Sequence, residues 1–175
     1  MERNMHNEEV KARLDEAVSR SSLLGRPGFL IRRLHQVHCS LFQEETRGHD
    51  ITPVQYSLLS SLSRLGEMDQ NTIAQAIGLE RTSVAEVIPR LEARGLLSRR
   101  QSDKDKRVKL VKLARKGKTL VTKMNDAVQR AHDRTLEALP AEERDLFMLQ
   151  LIHLVEANNE VKSAPLRLQP AKADS

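Results

Sequence analysis

The chain has 175 residues, 29 Lys and Arg against 24 Asp and Glu, a formal charge of +5 and a pI of about 9.6. With no Trp and one Tyr, Tyr56, its core must come from Leu, Ile, Val, Ala and Met, which argues for packed helices and against an all-β sandwich. Cys39 stands alone, which excludes an internal disulfide. No apolar run approaches the ~20 residues of a membrane span, and the charged start MERNMHNEEVKARLDEAV lacks a signal peptide's apolar segment, so a cytoplasmic location is expected.

Residues 1–24 form a polar N-terminal extension in which Val10, Leu14, Ala17 and Val18 either make a weak amphipathic helix or fray. Pro27 suits the first turn of a helix continuing through Phe42, with Leu30, Leu34, Val37 and Leu41 on one face. Ile31, His35, His38 and Phe42 form an adjoining stripe, so this helix needs partners on two sides. Thr52-Pro53 reads as an N-cap followed by proline, opening a helix over Val54, Leu58, Leu59 and Leu62 that ends at Gly66.

The stretch QNTIAQAIGLERTSVAEVIPRL, from Gln70 to Leu91, has helix-turn-helix spacing. Ala74 gives a small side chain where two helices touch, Gly78 tolerates positive φ at the turn, and Val84 re-enters the core. Arg81, Thr82, Ser83, Glu86 and Arg90 then face outward. Gly95 closes the second helix. Ser98 to Gln101 and Arg107 to Leu113 read as strands joined by the turn-like SDKDK, a hairpin tipped with Lys104 and Lys106. One long helix is expected from Lys118 to Leu139, and another from Pro140 whose apolar residues cover more than half its circumference. Such a helix needs a partner, so the first and last helices are expected to pack between two subunits.

The expected fold is mainly α (α+β), a winged helix-turn-helix with N- and C-terminal helices forming a dimerisation region. Residues 25–47 and 118–161 make that region, 50–117 the DNA-binding domain and 162–175 a disordered tail.

Over roughly Pro27 to Val161 the chain resembles the MarR family of winged-helix transcription regulators. The resemblance rests on ITPVQYSLL, IAQAIGLERTSV, PRLEARGLL, SDKDKR and LARKG in that order. In the family's DxxDRR-like wing segment, Asp105 and Arg107 match, Lys106 replaces an arginine, and Ser102 stands where the first acid is common. Glu86 departs from the basic or small polar residue usual there, so base preference does not carry over. Pro89 cannot donate to the carbonyl of Ala85 and is expected to bend the recognition helix. RPGFLIRRLHQVH, Arg26 to His38, is similar to the subgroup of regulators of nicotinate and related aromatic-acid catabolism.

The resemblance implies a homodimeric regulator of double-stranded DNA, a repressor released from a pseudo-palindromic operator by a small aromatic acid such as a hydroxylated pyridine carboxylate. Arg81, Thr82, Ser83, Glu86 and Arg90 would meet the bases, while Lys104, Lys106 and Arg107 neutralise phosphates. Arg90 has a second reading as an ion-pair partner of Glu86. Arg33, His35, His38 and Tyr56 are the candidate effector residues. His35 and His38 with His49 offer a metal site instead, and Cys39 a redox-responsive one. A non-regulatory winged-helix interaction module is the other alternative. No Gly-rich phosphate loop, GxSxG elbow or placed acid pair suggests an enzyme, and no cofactor is implied.

Overall fold

The computed structural model describes residues 2–161 and 165–167, with side chains from residue 7 onward. The polar tail expected at 162–175 lies outside the described residues except at 165–167. Helix α1 (Glu2–Arg20) and a 3-10 turn (Ser22–Gly25) precede α2 (Pro27–Glu45) and α3 (Pro53–Leu65). A two-residue strand β1 (Met68–Asp69) leads into α4 (Gln70–Ile77), α5 (Arg81–Ala93), β2 (Leu97–Gln101) and β3 (Lys109–Leu113). Helices α6 (Arg115–Leu136) and α7 (Ala141–Ala157) follow.

Local chemistry sets the main boundaries. Thr52 and Gln55 form a reciprocal capping box at α3, with Pro53 at the first helical position. Asp69 caps α4 by accepting from the N–H groups of Asn71 at 2.8 Å and Thr72 at 3.1 Å. Gly78 ends α4 in the left-handed region, φ 64°. The long helix begins at Arg115 rather than at Lys118, because Gly117 is a packing glycine. A Cβ there would lie 2.2 Å from the Leu96 carbonyl oxygen.

The sheet is antiparallel, in the order β1-β3-β2. Leu97 pairs with Leu113 and Gln101 with Lys109, and Met68 opposite Val111 adds the third strand. Beneath it Ile73, Ala74, Val84, Ile88 and Leu91 from the two reading helices meet Leu58, Leu59 and Leu62 of α3 in one core. Met124, Val128 and Ala131 of α6 and Phe42 of α2 complete it. Glu45 ties α2 to α6, accepting from Arg130 at 2.8 Å and Arg134 at 2.7 Å. Those bonds hold its carboxyl below the usual glutamate range.

Two surfaces of the chain have no partner among the described residues. No residue of α7 is buried, and Leu146, Leu149, Ile152, Leu154 and Val155 are exposed, as are Leu30, Ile31 and Val37 on α2. Beyond α7 the chain returns to α4. The Asn159 side chain brackets Leu166 with bonds at 2.9 and 2.8 Å, and the Arg167 N–H donates to the Gln75 carbonyl at 2.9 Å.

Candidate nucleic-acid interface

The recognition helix presents its polar side because its apolar side is fixed. Val84, Ile88 and Leu91 are buried, which leaves Arg81, Thr82, Ser83, Glu86 and Arg90 exposed. Arg81 is held at the start of α5, its carbonyl accepting from the Gln70 side chain at 2.9 Å. No ion pair joins Arg90 to Glu86, so both remain available to a ligand. Helix α5 runs through Pro89 to Ala93. Ala85 is exposed, so water can take the bond that Pro89 cannot donate.

The wing is built around Ser102 and Asp105. The Ser102 hydroxyl accepts from the N–H groups of Lys104 at 3.3 Å and Asp105 at 3.4 Å. Asp105 accepts from the backbone N–H of Arg107 at 2.9 Å and from its guanidinium at 3.3 Å. Arg100 braces the hairpin from its base, bonding Glu67 at 2.9 and 2.7 Å and Asp103 at 2.8 Å. Lys104, Lys106 and Arg107 are thereby held exposed, and the two lysines have no acidic partner among the described residues. Arg81 of α5 and Arg107 of the wing line one open groove of about 450 Å³, together with Arg99 and Lys109. Sequence reasoning missed those last two, although their alternation on adjacent strands places both on the helix side. Arg99 is partly neutralised by Glu92, 2.8 Å from its Nε.

A second cavity, of about 410 Å³, lies between α3, α4 and α6 and is lined by Tyr56, Ser57, Ser60, Arg64, Ala76, Ile77, His132 and Leu166, among others. Burial pushes the Tyr56 phenol up, so it stays a neutral donor near pH 7. His38 backs this wall: its Nδ1 lies 2.9 Å from the Thr135 hydroxyl, and its ring stacks on His132 at 5.1 Å. Burial first, then the neighbouring His132 and His35, lowers its pKa. Tyr56 and His38 both pack against Phe42. Arg33 bonds Gln36 at 2.8 Å and is exposed, while the cation lining the Tyr56 cavity is Arg64. His35 lies 3.6 Å from the Cys39 sulfur. The metal alternative is corrected: among the described residues no three His, Cys, Asp or Glu side chains converge on one point. His49 sits on the loop after α2, lining a different cavity. That third cavity, of about 690 Å³, is lined by Gly48, His49, Arg94, Leu96, Arg115, Lys116, Thr119, Leu120 and Lys123.

The MarR family pattern matches residues 51–109. The PcaV transcriptional regulator of Streptomyces coelicolor, solved with its natural ligand, is 30% identical, with a TM-score of 0.70 over 75% of this chain and 93% of that one. The chain belongs to the MarR family. BpsR of Bordetella bronchiseptica, studied for regulation of its DNA binding by 6-hydroxynicotinic acid, is 29% identical, with a TM-score of 0.70 over 74% and 92%. The transcriptional repressor CouR, bound to a 23-mer DNA duplex, is 26% identical, with a TM-score of 0.70 over 77% and 95%. This MarR-family member is therefore a winged-helix DNA-binding transcriptional regulator. Its departure at Ser102 is chemically conservative, since the hydroxyl accepts the wing's backbone N–H groups as a carboxylate would.

Proposed function

We propose that the protein is a homodimeric repressor of a pseudo-palindromic operator, released by a small aromatic acid. The observation that carries DNA reading is the shared groove of Arg81 and Arg107, which lets the recognition helix and the wing grip one duplex. In this reading Thr82, Ser83, Glu86 and Arg90 meet base edges, while Lys104, Lys106 and Arg107 hold phosphates. The apolar faces of α2 and α7 pack against a second copy, so residues 25–47 and 118–161 form the dimerisation region around DNA-binding residues 50–117. The two recognition helices then stand about 34 Å apart, one turn of DNA.

The effector would enter the Tyr56 cavity, where Arg64 pairs with a carboxylate, and the Tyr56 phenol and His132 meet a ring hydroxyl or nitrogen. His38 orients His132 by stacking, while Arg33 and His35 lie outside the cavity lining on α2. PcaV's natural ligand and BpsR's 6-hydroxynicotinic acid support an organic ligand of this kind. Selection of bound duplexes from a random library, followed by footprinting, tests the first half: one protected inverted repeat is expected, and uniform coating of DNA would refute it. Release of that duplex by 6-hydroxynicotinate, abolished in Arg64→Gln and Tyr56→Phe chains, tests the second half.

A further inference from the structure

The cavity beside the start of α6 belongs neither to the reading groove nor to the Tyr56 cavity, and shares no lining residue with either. Arg115, Thr119 and Lys123 follow one another at intervals of four, with Lys116 and Leu120 alongside. They therefore form a lateral strip that runs from the first residue of α6 along its side. Facing them is Arg94, the residue that ends the recognition helix. Its guanidinium is clamped to the loop after α2 through the carbonyls of Asp50 at 2.5 Å and His49 at 3.1 Å.

The charge here is poorly compensated. Lys116 donates to a neutral acceptor, the Arg94 carbonyl, at 3.0 Å. The side chains of Arg115 and Lys123 have no hydrogen-bond or ion-pair partner among the described residues. Among the described residues the one ion pair made by any of the four cations is Arg94 with Asp50, at 3.8 Å and almost fully exposed on the Asp50 side. Yet the wall between these charges is largely aliphatic, formed by Leu120 and the side-chain stems. Cations converging on a concave, weakly polar wall focus potential on an anion. A volume of about 690 Å³ also lies within the range of small-molecule sites.

We propose that this cavity is a second ligand site, for a small organic monoanion with an apolar body: an alkyl or aryl carboxylate or sulfonate. The anionic head sits between Arg115 and Lys123, within reach of Arg94, and the apolar body lies on Leu120. DNA is the less fitting occupant, because Arg81 stands at the other end of α5, about 20 Å away at ~1.5 Å per residue.

The test uses the full-length, ¹⁵N-labelled protein titrated with sodium octanoate, octan-1-ol and sodium phosphate. Saturable amide shifts are expected with octanoate at residues 48–49, 94–96 and 115–123, and neither control should reproduce them. Arg115→Gln with Lys123→Gln should weaken octanoate about tenfold, the loss of one charge-assisted hydrogen bond. Arg115→Lys with Lys123→Arg should restore it, and Arg64→Gln should leave it unchanged. The proposal is overturned if octanol binds as tightly, if phosphate gives the same shifts, or if octanoate perturbs only the Tyr56 cavity or α7. It is equally overturned if the double Gln variant loses DNA affinity while binding octanoate normally, since the strip would then be a phosphate contact.

Discussion

Replacing Gly117 with alanine sets two opposing effects against each other, and the structure says which wins. Alanine gains about 1 kcal/mol of helix propensity over glycine. Its Cβ, however, would stand 2.2 Å from the Leu96 carbonyl oxygen and 3.0 Å from Leu113 Cδ2. Leu113 can rotate away, but the carbonyl cannot, because it accepts the Ala114 N–H at 3.0 Å where β3 turns into α6. Relief requires α6 to back off by about 1 Å, at the ~1–3 kcal/mol typical of overpacking and about 1 kcal/mol for the weakened hydrogen bond. The net expectation is a loss of about 2 kcal/mol. Urea unfolding at fixed protein concentration should show the midpoint falling by about 1 M for a slope near 2 kcal/mol/M. Gly28, early in α2, is the control: a Cβ added there would meet nothing within 4 Å, and alanine should be neutral or stabilising. If Gly117→Ala is as stable as the parent, the close approach of α6 to the sheet is wrong.

Alanine at Lys104 or Lys106 should lower the slope of log affinity against log salt by about 0.9 per lost phosphate contact. Thr82→Ala and Ser83→Ala should leave that slope alone and reduce discrimination between operator and random duplex, read by fluorescence anisotropy. Asp69→Ala should cost about 1 kcal/mol through the lost cap. Burial raises the Asp69 carboxyl, but the hydrogen bonds from Thr72 and Asn71 outweigh it and leave the pKa lowered. Its contribution is therefore full above the unfolded aspartate range and is lost as pH falls through the depressed value, so melts of Asp69→Asn from pH 7 to 3 should lack that part of the acid limb. His38 is also depressed, chiefly by burial. Protonation of the unfolded chain near pH 6.5 thus erodes stability as pH falls, until the folded ring is protonated too, and His38→Gln should flatten the loss between pH 7 and 5.

The helix-turn-helix was legible because each of its signals is local: Ala74 and Val84 are buried and Gly78 has positive φ, as their spacing required. The Thr52-Pro53 start of α3 was legible for the same reason. Strand β1 was not, since two residues carry no alternation and Met68 pairs only because β3 offers an edge. LARKG misled about the start of α6: glycine lowers helix propensity, but its need for close packing against Leu96 exists only in three dimensions. Within the candidate site, outward residues followed from helical period, and strand alternation could have placed Arg99 and Lys109, whereas Arg64 and His132 owe their places to contacts between distant elements. No sequence spacing encodes those.

The return of the chain to α4 bears on how the protein can be handled. Residue 167 is bonded to Gln75, in the last turn before the helix-turn-helix bend. A fluorescent protein or affinity tag joined shortly after residue 167 is thus leashed beside the reading helices and can crowd them. One placed ahead of α1, whose main packing is against the 3-10 turn that follows it, stays tethered through a separate helix.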